Sequence, residues 1–113
     1  MQLFILVLNR QEWVEPLFEE MMKAGFTGGT VLESTGMMRV LDTEDPDLPM
    51  FGMIRHLIDP QRKKSKTIMI LVKDEQVKEL AALVNRVTGG LNKPDTGIAF
   101  AVPTLFVEGL MES

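Results

Sequence analysis

A chain of 113 residues, 45% apolar and 25% charged, has the make-up of one ordinary globular domain with a modest core. Its net charge of −4 argues against wholesale electrostatic binding to nucleic acid or to an anionic membrane surface. The absence of cysteine excludes disulfides, thiolate nucleophiles and Cys-based zinc sites, and a cytoplasmic location is expected.

The first element is the run Leu3–Leu8, branched and wholly apolar, which reads as a central strand. It is too short for a signal-peptide core and lacks a basic segment before it. No stretch approaches the roughly 20 apolar residues of a membrane helix, so no direct membrane insertion is expected. The period then changes. Trp13, Leu17, Met21 and Ala24, flanked by Val14, Phe18 and Met22, form one helical stripe, with Asn9 as the expected N-cap and Glu12 in the capping-box position. Gly25 is the expected stop. Alternation returns at "GGTVLEST", with Val31 on one face and Thr30 and Leu32 on the other, ending at Gly36. Thr67–Val72 is a third strand. A second amphipathic helix opens on Asp74 as N-cap and closes on Gly89, and a fourth strand spans Gly97–Pro103. The tail after Pro103 reads as a short helix or an edge strand.

The order β-α-β-β-α-β predicts an α+β, ferredoxin-like split βαβ domain spanning residues 1–113: four antiparallel strands with two helices on one face. Two helices cover only that face. The strands are apolar on both, so the chain is expected to associate with copies of itself through the other.

Met37 to Lys66 shows no sustained period, and a connection of that length in a compact domain points to function or to disorder. Within it "MFGMIRHL" offers an adaptable apolar docking element, Met50, Phe51, Met53 and Ile54, followed by Arg55 and His56. His56 is the sole histidine and has no second ligand beside it, so no metal site is expected. Ser34 and Ser65 lack a histidine partner, and no paired carboxylates are spaced for acid–base work. No catalytic residues are expected. The remaining signal is "TGGLNKPDTGIAFAVP", Thr88–Pro103. Its Gly89, Gly90 and Gly97 are candidate backbone donors to an anion, and Lys93 is the one cation of the hairpin.

With these elements in place, the chain resembles the P-II family of nitrogen regulatory signalling proteins. The resemblance rests on "AGFTGGTVLESTG" (Ala24–Gly36), which is similar to the approach to that family's T-loop, and on Thr88–Gly89 and "DTGIAFAVP" (Asp95–Pro103), which are similar to its B-loop and following strand. It implies a homotrimer with sheets facing inward, adenine nucleotide (AMP, ADP or ATP) bound in clefts between subunits, and signalling to an enzyme or membrane transporter through a T-loop at about 37–66. Carried onto this chain, the ligand-binding candidates are Thr30, Gly36, Arg39, Gly89, Gly90, Lys93 and Gly97. Some family features are replaced: Ile98 follows Gly97 where the family has a lysine, Val40 stands for a glutamine, and the tail lacks the paired arginines. The chain has no tyrosine, which excludes uridylylation there. Fewer cations imply a less charged ligand, such as a nucleoside monophosphate or another small metabolite.

Three other readings fit the same elements. A ligand-independent trimeric interaction module would present the long loop to a partner. A CutA-like trimer is the second. An acyl-phosphate enzyme on this fold is the third, with Asn9–Arg10 as its only echo.

Overall fold

A computed structural model describes residues 1–37 and 64–110. The element order is β1 (Gln2–Leu8), α1 (Val14–Lys23), β2 (Thr30–Ser34), β3 (Ser65–Val72), α2 (Val77–Thr88) and β4 (Gly97–Pro103). The strands form one antiparallel sheet in the order β2-β3-β1-β4. This is the expected ferredoxin-like arrangement, and the expected bounds of β4 hold to the residue.

The core lies between the sheet and the two helices. Phe4, Leu6 and Leu8 of β1 and Ile68, Ile70 and Val72 of β3 point into it. Leu17 and Met21 of α1, Phe26, and Leu80, Leu83 and Val84 of α2 meet them. Of the expected α1 stripe, Trp13, Val14 and Phe18 are only partly buried, and Met22 and Ala24 are exposed. Glu20 of α1 and Arg86 of α2 pair at 3.5 Å across the outer surface of the helix layer.

Both helix starts differ from expectation. Asn9 does not cap α1. Its N–H continues the sheet by donating to the Thr96 carbonyl at 3.0 Å, and its Oδ1 accepts a 2.9 Å hydrogen bond from the buried Ser65 hydroxyl. A 3₁₀ turn, Gln11–Trp13, intervenes before α1. Pro16 therefore falls in the first turn of the helix, where an N–H has no intrahelical acceptor and its loss costs nothing. Asp74 likewise opens a 3₁₀ turn, Asp74–Gln76, instead of capping α2. There the Gln76 side chain accepts from the Lys73 N–H at 2.8 Å, and Asp74 accepts from Gln2 at 3.3 Å. Gly25, with φ +91°, ends α1 as expected. β3 starts two residues before Thr67, because Ser65 and Lys66 pair with Ser34 and Glu33. The tail after Pro103 forms neither helix nor strand through residue 110.

The second face of the sheet is open in the single chain. Leu3, Leu71 and Val102 form one row across it, Ile5, Met69 and Phe100 the next, and Val7, Thr67 and Ile98 a third, with Leu32 of β2 beside Thr67. Ile98, Phe100, Val102 and Leu32 stand exposed at its flanks.

Candidate functional site

The hairpin between α2 and β4 is built on its own hydrogen bonds. The Thr88 hydroxyl donates back to the Val84 carbonyl at 2.9 Å and accepts from the Gly90 N–H at 3.3 Å. Asn85 Oδ1 accepts from the Leu91 N–H at 2.9 Å, and the Lys93 N–H donates to the Gly90 carbonyl at 3.3 Å. Gly89 and Gly90 take φ of +82° and +119°, which the chain needs in order to leave the helix and turn at once. The Gly90 N–H, a candidate donor to an anion, donates to the Thr88 hydroxyl in this structure. The Lys93 ammonium folds back over Gly89, 3.0 Å from where a Cβ would stand, at the C-terminal end of α2. A cation is favoured there because the last helical carbonyls face outward.

Gly97 has a packing reason for lacking a side chain. A Cβ on it would run into the Val7 carbonyl oxygen of β1, and its φ of +155° disfavours any other residue. Because Asn9 donates to Thr96, Leu8 and Gly97 form a pair that exchanges no hydrogen bonds. The ladder geometry then turns the Gly97 N–H away from β1, off the outer edge of β4.

Sheet register places the other candidates. Gly97 shares a row with Leu8, Lys66 and Glu33, at the end of the sheet from which the long β2–β3 connection leaves. Gly36 follows β2 at that same end, with open space around its Cα. Thr30 sits three residues before Glu33, roughly 10 Å along β2. The β2 and β4 edges are three strand spacings apart, roughly 14 Å. One chain therefore brings Gly89, Gly90 and Lys93 together in one turn, sets Gly97 against β1 at the start of β4, and leaves Thr30 and Gly36 across the width of the sheet. Arg39 lies outside the described residues, as do Met50, Phe51, Met53, Ile54, Arg55 and His56.

Two lysines at this end are already partnered. Glu33 accepts from Lys66 at 3.0 Å and pairs with Lys64 at 3.7 Å. The Lys66 hydrogen bond, helped by the two ammonium charges, holds the Glu33 carboxyl below its ordinary range. Arg10 lies over the Trp13 ring, 5.1 Å from its centroid, and reaches Glu12 at 3.7 Å. Among the described residues no group of three or more acidic, histidine or cysteine side chains is arranged to hold a metal ion. Among them, too, no helix is long and apolar enough to cross a membrane.

Thr88 and Asn85, which organise the hairpin, escape a reading of the sequence. Each lies on a helix, where a polar side chain reads as solvated, and only the fold back of the loop gives it a donor to accept.

No protein-family model matches the chain, and no curated protein matches it.

Proposed function

We propose that the chain is a P-II-like regulatory protein. In this reading copies associate, as a homotrimer, through the open sheet face. A small ligand, an adenine nucleotide, lies where the hairpin of one copy meets the β2 end of the next, and the segment 38–63 carries the signal to an enzyme or transporter. The observation that supports it is the split of the candidate residues between opposite edges of one sheet. Gly97, which follows the Gly89–Lys93 turn in the chain, stands at one edge and Gly36 beyond the other, at the same end, with the two edges roughly 14 Å apart. Copies set side by side with their apolar faces covered bring the two edges into contact, which no folding of a single chain does.

The ligand of this reading carries little charge. Lys93 is the only cation of the hairpin, Lys64 and Lys66 are held by Glu33, and the Gly90, Leu91 and Lys93 N–H groups are occupied. The same occupied donors favour a second reading, a trimeric interaction module that needs no small ligand. A thermal-shift panel separates the two, with AMP, ADP, ATP, cyclic di-AMP, 2-oxoglutarate, bicarbonate and phosphate, each with and without magnesium. Under the first reading one nucleotide stabilises the protein by about 2.7 kcal/mol at a hundredfold excess over its dissociation constant. That gain falls in Lys93→Ala. A flat panel on folded, associated protein overturns the sensor and leaves the interaction module.

A further inference from the structure

The chain carries a knob and a hole on opposite edges of its sheet. Directly after β4, Thr104 is fixed by its N–H and hydroxyl, both donating to the Met1 carbonyl, at 3.2 and 2.9 Å. The next two residues, Leu105 and Phe106, are 104% and 78% exposed, the most exposed large apolar side chains among the described residues. Such side chains on a tethered segment, with no cover from the described residues, are suited to contact with another molecule.

The hole lies at the other edge, on the helix side of β2. Phe18, Met21 and Met22 of α1, Phe26, Val31 and Ile68 wall an open apolar recess of about 160 Å³. Met22 and Val31 form its exposed lip, at 66% and 40%. A space of roughly 150 Å³ lined by Leu, Ile and Phe is enough to take a benzene ring. The recess is therefore matched in size and chemistry to one phenyl side chain.

The chain's own tail does not reach it. Three residues from Pro103 to Phe106 span about 10 Å at full extension, whereas the β2 edge is roughly 14 Å from β4 and the recess lies beyond it on the helix side. The two features do lie toward the same end of the sheet. Pro103 shares the row of Gln2 and Val72, and Phe26–Gly29 run back from Thr30 toward that row. A second copy standing beyond the β2 edge, in the same orientation, brings its tail to the recess.

We propose that Phe106, with Leu105 beside it, docks in the Phe18–Met22–Val31 recess of a second copy of this chain. The contact is head-to-tail: each copy gives a tail on one edge and receives one on the other, so a rotation that closes makes a ring. It rests on the self-association of the proposed function and adds a contact outside the open sheet face.

The cysteine-free chain makes the test specific. Glu108→Cys, two residues past the docking Phe106, and Met22→Cys are placed in separate full-length chains, both at exposed positions, so Phe106 is kept and neither change touches the core. After mixing and mild oxidation the expected product is a covalent dimer that forms in the mixture and in neither variant alone. No dimer in the mixture, or equal amounts in each variant by itself, overturns the docking. The solution mass of the unoxidised mixture separates the two claims. An associated protein without the mixed cross-link overturns the tail contact and leaves the sheet-face association standing, whereas a monomer overturns both.

Discussion

Gly97→Ala unfolds at a temperature about 15–30 °C below that of the native chain, although it adds one methyl group to a half-exposed strand residue. The added Cβ meets the Val7 carbonyl oxygen, a backbone atom of the central strand that does not swing aside as a side-chain end does. Overpacking of this kind costs about 1–3 kcal/mol. A backbone φ of +155° held by a residue other than glycine adds about 1–3 kcal/mol. A combined loss of about 4 kcal/mol is a large part of the roughly 5–15 kcal/mol that stabilises a domain, and each kcal/mol lowers the melting temperature of one this size by about 4–8 °C. Thermal unfolding followed by circular dichroism reads it. A melting temperature within a few degrees of the native value would show that Gly97 is not glycine for packing, and would leave ligand binding as its remaining role.

Phe100→Lys produces the opposite pattern, an intact fold and a lost assembly. Phe100 sits in the middle row of the open face, opposite Ile5, and is 46% exposed in the single chain. In a monomer its replacement is a surface change, within about 0.5 kcal/mol of neutral. In an assembly that covers the face, each copy forfeits about 1.5–3 kcal/mol of aromatic burial and leaves an ammonium group without a partner. Summed over three copies, this weakens association by a thousandfold or more on the usual scale of about 1.4 kcal/mol per factor of ten. Sedimentation velocity at matched concentrations checks it, together with a thermal melt. If Phe100→Lys keeps the native mass in solution, the open face is not where copies meet.

The sequence was legible where burial follows period. β1 and β3 read correctly as strands because Leu3–Leu8 and Ile68–Val72 are short, largely branched runs that are apolar without a break. The same runs announced the open second face. The helix starts were misread for a tertiary reason. Asn9 and Glu12 have capping-box spacing, but the Asn9 side chain has a better partner in Ser65, 56 residues away, and its backbone still belongs to the sheet. The first two residues of β3 were missed because Ser65 and Lys66 look like loop, and their pairing with Ser34 and Glu33 on one side and of Lys66 with Leu8 on the other makes them strand.

The candidate site was legible in part. Gly89, Gly90 and Lys93 share one turn, as their closeness in sequence suggests, while Gly97 belongs to the sheet. What remained hidden was the use of their polar groups: Thr88 accepts the Gly90 N–H, and β1 dictates the smallness of Gly97. The recess beside β2 was hidden as well, because Met22 and Val31 read as core in any periodic pattern and yet form its exposed lip.

The central claim is that function resides between copies, since one chain holds only half of the candidate site at each edge of its sheet. The mass of the purified native chain in solution, by sedimentation equilibrium at micromolar concentration, tests it most directly. The account predicts a trimer of 12.7 kDa chains, about 38 kDa in all, with no trace of larger open-ended species. A mass of 12.7 kDa, held across the concentration range by a folded protein, would contradict it.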